Sequence, residues 1–258
     1  MIRSRHRPRV LPEAGILDNH QPLVREIERR GFLRGGLSLG ALTLLTGCDV
    51  ADDSSVGKAL LAMSRFNDRV QGALFDPNKL APTYSPVDVL RPPRFNASYD
   101  IEDVKPVDGA SWKLELSGLI HDKRPWTRQQ IEALPKRDMI IRHICVEGWD
   151  YIGQWSGVPM RTFLERIGAD FRAKYVAFKT ADNYPSSIDM ATALHPQTLL
   201  ATTYGGETLD DPFGYPLRLR TSTKLGFKNP KWITALEVTN TYSGGFWENQ
   251  GDPWFSGL

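Results

Sequence analysis

Apolar residues in this chain recur with two different periods, separated by a stretch that has neither. Between residues 52 and 75 the spacing is helical, and Met63, Phe66, Val70 and Leu74 fall on one side. That side is expected to be a packing face. From Asp76 to Arg94 the prolines at 77, 82, 86, 92 and 93 exclude regular structure. An extended wrap is expected there, anchored by Leu80, Tyr84, Val87 and Leu90. Beyond Asp100 short strands dominate. Trp112 to Leu116 alternates with period two, Met139 to Ile144 and Tyr175 to Phe178 read as buried strands, and Leu217 to Arg220 and Trp232 to Thr239 add two more. Short helices interrupt them. Thr127 caps one running to Leu134, with Gln130 at the capping-box position, and Pro159 opens another that ends at Ile167. Mixed strands with inserted short helices and long loops predict a single α+β domain.

The first 47 residues belong to a different pattern. Arg29-Arg30 precedes a modest apolar stretch from Gly35 to Thr46, shorter than the roughly 20 residues that span a bilayer. A twin arginine before such a core is expected to direct folded protein through the twin-arginine translocase. Leu45-Thr46-Gly47-Cys48 then reads as a lipobox in which Cys48 is acylated, and Asp49 resembles a signal for retention at the inner membrane. A disulfide between Cys48 and Cys145 is the alternative fate of these two cysteines in an oxidising compartment. The expected organisation is a signal over 1–47, a helix and proline-rich wrap over 48–95, and a catalytic domain over 96–258. The expected location is periplasmic, anchored by lipid to the inner membrane.

Charge supports the division. Residues 1–47 hold eight arginines against four acids, while the whole chain carries +2. The remainder is therefore slightly acidic, without the basic stripe that nucleic acid would require.

One thiol then needs an explanation. Cys145 sits in Arg142-His143-Ile144-Cys145-Val146-Glu147-Gly148-Trp149, and a thiolate there would suit a soft metal. Zinc is unattractive because no set of cysteine and histidine ligands has the right spacing. No Cys-x-x-Cys-His haem attachment occurs. His143, two residues earlier, would share a strand face with Cys145. His195 lies before a proline and reads as a loop residue.

Five segments in order carry a resemblance. The Cys145 segment is followed in register by Trp155-Ser156-Gly157-Val158-Pro159. Asn96-Ala97-Ser98-Tyr99-Asp100 precedes it, Thr180 lies 35 residues after the cysteine, and Gly214-Tyr215-Pro216-Leu217-Arg218 enters a strand. Lys224-Leu225-Gly226-Phe227-Lys228-Asn229-Pro230-Lys231 completes the set. Together they resemble the molybdopterin-binding domain of the sulfite oxidase fold, and within it the catalytic subunits of periplasmic protein-methionine-sulfoxide reductases. The resemblance implies Cys145 as the molybdenum ligand, with Tyr99 beside it at the catalytic centre. It implies a cofactor held by Asn96, Tyr99, Asp100, Thr180, Arg218, Asn229, Pro230 and Lys231, in the plain monophosphate form. It also implies a membrane haem protein or cytochrome as electron partner. Phe213 departs from the pattern, which has asparagine there, and the aromatic tail around Phe246-Trp247 departs from those reductases.

Two-electron oxygen-atom chemistry is thus expected, with an S-oxide or N-oxide, small or protein-bound, as substrate. Two alternatives stand beside it. A sulfite-oxidising enzyme would need converging arginines, for which Arg142, Arg161, Arg172 and Arg220 are the candidates. A cofactor-free lipoprotein would use Cys145 for packing alone.

Overall fold

The strand pattern is realised as two five-stranded sheets that share one body. The computed structural model describes residues 55–258, with side chains from Leu61 onward, and Leu61–Leu258 form one compact unit. The twin arginine, the lipobox and Cys48 lie outside the described residues.

The first sheet contains β1 (Lys113–Gly118), β2 (Trp126–Thr127), β5 (Tyr175–Thr180), β6 (Ser186–Asp189) and β10 (Ile233–Thr239), in the order β2-β1-β10-β5-β6. Only β1 and β10 run parallel in it. The second contains β3 (Arg137–Ile144), β4 (Asp150–Pro159), β7 (Thr198–Tyr204), β8 (Glu207–Thr208) and β9 (Arg218–Thr221). Here β7 is central, pairing antiparallel with β4, β8 and β9. Helix α2 (Arg128–Glu132) starts with the expected reciprocal cap, since Thr127 Oγ1 accepts from Gln130 N and Gln130 Oε1 accepts from Thr127 N. It stops two residues short of Leu134. Helix α3 (Met160–Arg166) and the short α4 (Met190–Ala193) complete the domain. Leu114, Ile131, Phe163, Leu164, Ile188, Leu219 and Leu236 fill the main core, and a second cluster gathers Ile141, Trp155, Leu199 and Tyr204.

The pattern did not disclose β2, β4, β6, β7 or β8. In β4 the glycines at 153 and 157 dilute the apolar alternation, although the burial still alternates. Gly157 is needed for packing: a Cβ there would collide with the carbonyl of Leu200 on β7. Strand β7, Thr-Leu-Leu-Ala-Thr-Thr-Tyr, is buried almost throughout because Leu200 enters the main core while Leu199 and Ala201 enter the second cluster. Its threonines therefore read as polar while sitting inside.

Two expectations about the N-terminal part are corrected. Helix α1 (Ser55–Leu74) forms where the periodicity placed it, but its apolar side does not pack. Met63, Phe66, Val70 and Leu74 are exposed. The helix docks instead through polar groups: Asp68 accepts from the backbone N–H of Trp254 and Phe255, and Gln71 accepts from that of Gly257. The proline-rich wrap is extended as expected, yet Leu80, Val87 and Leu90 are also exposed. Backbone pairing holds it, with Tyr84 N–H donating to Ile140 O and Leu90 N–H to Ile152 O. His195 helps, since its Nε2 lies 3.1 Å from Lys79 O while Gln197 N donates to Nδ1. That pattern fixes the proton on Nε2 and makes His195 a loop-pinning residue.

Candidate functional site

Cys145 is placed by a hairpin. It follows β3 directly, and its backbone closes the turn to β4: Cys145 N donates to Trp149 O, and Gly148 N donates to Cys145 O. Side chains alternate along β3, so Met139, Ile141, His143 and Cys145 all face inward. The thiol lines an open cleft. Asn96, Gly226, Asn229, Pro230 and Lys231 line it, with Glu147, Asp182, Tyr184, Phe227 and Trp247.

The sulfur is free and buried. Burial holds its pKa above the usual thiol value and the Glu147 carboxylate adds to this, while backbone N–H groups of Glu147 and Val146 work the other way. Glu147 Oε2 stands 3.8 Å from Sγ and accepts from Trp149 Nε1 at 2.6 Å. His143 lies behind the thiol and packs against the rings of Trp149 and Tyr151, which also touch each other. Burial, reinforced by Arg220, Arg218 and Lys231, holds the imidazole well below its usual pKa and so neutral. Neither of its ring nitrogens has a partner among the described residues.

The loop from β9 to β10 builds the opposite wall. Gly214, in the left-handed region at φ 107°, starts this wall, and its missing Cβ admits the stems of Arg218 and Lys231. Asn229 is consumed in shaping the loop: Oδ1 accepts from Thr221 N and Arg220 Nη1, and Nδ2 donates to Leu225 O. Gly226 is needed because a Cβ would stand 2.7 Å from His143 Nε2. Five cations of this segment are buried: Arg218, Arg220, Lys224, Lys228 and Lys231. Two have carboxylate partners, Lys224 with Asp189 and Lys228 with Glu248. Arg218, Arg220 and Lys231 donate only to carbonyl oxygens and to Asn229, and the Nε of each arginine is unpartnered. Burial first, then Arg218, lowers the Lys231 pKa to about 6, with Asp182 opposing.

The residues expected at the cofactor are not all brought together. Asn96, Cys145, Asn229, Pro230 and Lys231 share the cleft. Arg218 lies buried beneath it, over the Trp155 ring. Tyr99 lines an adjoining depression, and its hydroxyl donates to Asp182 Oδ2 at 3.1 Å. Its contact with the cleft therefore runs through Asp182, which lines both cavities. Asp100 is exposed at the start of a 3-10 turn. Thr180 is buried and its Oγ1 accepts from Tyr184 N, so it shapes the turn that delivers Asp182 and Tyr184. Tyr184 had no signal of its own in the sequence beyond following that polar run. Trp247 reaches the wall from the divergent C-terminal tail, where Phe246 stacks on Tyr184.

The donor set fits a metal that arrives with its own ligands. Among the described residues no cluster of three or more His, Cys, Asp or Glu could hold a metal. A single thiolate suits an ion already held by the dithiolene sulfurs of a pterin. The unpaired buried cations fit the anionic end of such a group, because a buried charge without a counter-charge is otherwise costly.

Comparison with known proteins agrees with this geometry. The family model described as "Oxidoreductase molybdopterin binding domain" matches residues 101–247. A relative from Azospira oryzae named "Putative protein-methionine-sulfoxide reductase subunit YedZ1" is 55% identical, and the alignment covers 100% of both chains. The protein-methionine-sulfoxide reductase catalytic subunit MsrP of Xanthomonas campestris is 32% identical over 54% of this chain and 48% of its own. Among solved structures, the sulfane dehydrogenase SoxCD of Paracoccus pantotrophus is similar in fold, with a TM-score of 0.50 and 19% identity over 54% of this chain and 40% of its own. The chain belongs to the family of oxidoreductases built on a molybdopterin-binding domain, with the sulfite-oxidase type of fold.

Proposed function

We propose that this oxidoreductase reduces S-oxides, methionine sulfoxide foremost, with N-oxides as the related class. The observation that carries the reading is the character of the cleft above Cys145. It presents Glu147 and Asp182 beside the rings of Tyr184, Phe227 and Trp247, and among the described residues Lys231 is the cation that lines it, with no arginine. A neutral, dipolar S-oxide with an apolar substituent suits such a wall. Anionic sulfite does not. The four arginines considered for sulfite are engaged elsewhere: Arg142 with Asp150, Arg161 with Glu165, Arg172 with Asp170, and Arg220 in the buried loop. The name carried by the Azospira oryzae relative supports the same substrate class.

When bound, molybdenum–molybdopterin would supply the two-electron step and accept the oxygen. Overall, one S-oxide, two electrons and two protons become one sulfide and one water. The chain's own share is narrower. Cys145 would ligate the metal, and coordination would deprotonate its thiol. Lys231 and Arg218 would hold the phosphate by charge-assisted bonds. Because Lys224 and Lys228 are already neutralised, the unpaired charge near the cleft is modest, which supports the monophosphate form. Asn96 is fastened by Lys231 Nζ on its carbonyl, which leaves its side-chain amide for a ring edge. Asp182 accepts the Tyr99 hydroxyl hydrogen bond at Oδ2, while its Oδ1 has no partner among the described residues and is left to accept a bond from a group in the cleft.

Export through the twin-arginine route, acylation at Cys48 and an inner-membrane location belong to the same proposal. The Arg29-Arg30 pair and the Leu45–Cys48 lipobox support them. Electrons would come from a membrane haem protein or a cytochrome.

The test is metal analysis and turnover of the exported protein beside Cys145→Ala. About one molybdenum per wild-type chain, almost none in the variant, and turnover of methionine sulfoxide without turnover of sulfite are expected. Sulfite oxidation with no S-oxide reduction would reverse the substrate assignment. A folded wild type without molybdenum would remove the catalytic reading.

A further inference from the structure

Helix α1 turns its polar side inward and its apolar side outward. Met63, Phe66, Val70 and Leu74 are 56%, 61%, 40% and 80% exposed. They form a stripe along one side of a 20-residue helix. Asp68, the one acidic residue of α1, is spent on the backbone N–H groups of Trp254 and Phe255. Arg65 and Arg69 have no carboxylate partner within salt-bridge distance among the described residues. Arg65 and Arg69 border a trough whose other wall carries Tyr175, Tyr242 and Trp254.

We propose that this outward side of α1 is a membrane-binding surface, with Met63, Phe66, Val70 and Leu74 immersed at the interface of an anionic bilayer and Arg65 and Arg69 at headgroup level. An apolar stripe flanked by cations is the make-up of helices that lie in the interface plane. Tyr and Trp beside it suit the same depth. The stripe offers acyl chains an apolar surface and offers a protein partner no hydrogen-bonding group to read. Chain length supports the same occupant. Cys48 precedes Ser55 by seven positions, which allows at most about 25 Å of extended chain. An acyl anchor at Cys48 would thus keep α1 within reach of the bilayer and convert weak interfacial binding into a local event. Two contacts, anchor and helix, would then fix which side of the domain faces the lipid. The inference rests on the export and anchoring reading above.

The experiment places a polarity-sensitive dye on Met63→Cys in the exported full protein, and on Gln129→Cys, an exposed control on α2. Vesicles contain phosphatidylethanolamine with about 30% phosphatidylglycerol (an order-of-magnitude match to an anionic leaflet) and spin-labelled quencher lipid. Position 63 is expected to be quenched and blue-shifted while position 129 stays solvent-like. Phe66→Asp with Val70→Asp should weaken the effect about tenfold, and pure phosphatidylcholine should weaken it as well. Both aspartates replace exposed side chains, so turnover of a soluble S-oxide should be unchanged. A solvent-like position 63 on these vesicles overturns the proposal. Shielding seen only in native membranes does so too, because it would identify a protein as the occupant. Mass spectrometry of the Cys48 peptide reports acylation separately. An acylated chain with an unquenched helix keeps the anchor and loses the surface, whereas an unacylated chain with a quenched helix does the reverse.

Discussion

The segment from Arg218 to Lys231 and helix α1 invert the usual arrangement in opposite directions. The first buries five cations, and the second exposes an apolar stripe. Within the buried set the difference is sharper still. Lys224 and Lys228 meet carboxylates of Asp189 and Glu248, whereas Arg218, Arg220 and Lys231 meet none. Paired cations belong to the scaffold; the unpaired ones are donors held for an anionic ligand, whose arrival would favour the charged form of Lys231. The exposed stripe is the apolar counterpart, surface held ready for a bilayer. Residues in the wrong place by folding criteria are the ones that function explains.

Breaking a scaffold pair should have the largest effect. Lys228 is fully buried against Glu248. Lys228→Met leaves the Glu248 carboxylate buried alone, and truncating one partner of such a pair costs about 3–5 kcal/mol. The double change Lys228→Met with Glu248→Leu should recover most of that loss. Denaturant melts of the two variants measure the contrast. Equal losses in both would show that the pair does not behave as a unit.

Gly226→Ala comes next. The new Cβ would lie 2.7 Å from His143 Nε2, and His143 is fully buried against Trp149 and Tyr151, with little room to shift. Overpacking of this kind costs about 1–3 kcal/mol. Molybdenum content should fall with it, because Gly226 lines the cleft. A variant with wild-type stability and metal content would mean that the loop yields more easily than its hydrogen bonds suggest.

Lys231 predicts a pH dependence of the opposite sign to a lysine stabilised by a carboxylate. The Lys231 pKa falls from its ordinary 10.5 to about 6 in the fold. Between those values the unfolded chain binds the proton and the folded one does not, so stability rises with pH across the window and is lowest near pH 6. For one such proton the slope is about 1.4 kcal/mol per pH unit at most. Lys231→Met should flatten it in cofactor-free protein without loss of stability at pH 7, while weakening cofactor retention. Melts at several pH values, with and without cofactor, check both halves.

Sequence legibility follows the same division. Cys145 could be placed because the segment Arg142–Trp149 that marks it is contiguous in the sequence, and the Thr127–Gln130 cap because its chemistry is local. Asn229 was singled out for the cofactor, but its side chain is taken up by Thr221, Arg220 and Leu225, which no linear motif reports. Leu217 to Arg220 alternates in sequence, yet Arg218, Leu219, Arg220 and Thr221 are all buried, which the alternation does not report. Tyr184 and Trp247 meet across the cleft from distant segments. The stripe of α1 was visible as a stripe. Periodicity shows which residues share a side and says nothing of what that side meets.

That ambiguity supports the smallest prediction. If α1 were a packing helix, Phe66→Ser would open a cavity and cost several kcal/mol, as large-to-small changes in cores do. With Phe66 61% exposed, the change should stay within about 0.5 kcal/mol. Asp68→Ala is the matched control on the inner side. It removes the acceptor for Trp254 N and Phe255 N, and hydrogen bonds to a charged group contribute about 1.5–3 kcal/mol each at most, less at a part-exposed site. Hydrogen exchange at residues 61–74 and 254–257 should therefore accelerate in Asp68→Ala and stay unchanged in Phe66→Ser. The reverse pattern would place the apolar stripe against the protein and the aspartate in solvent, and would remove the surface offered to the membrane.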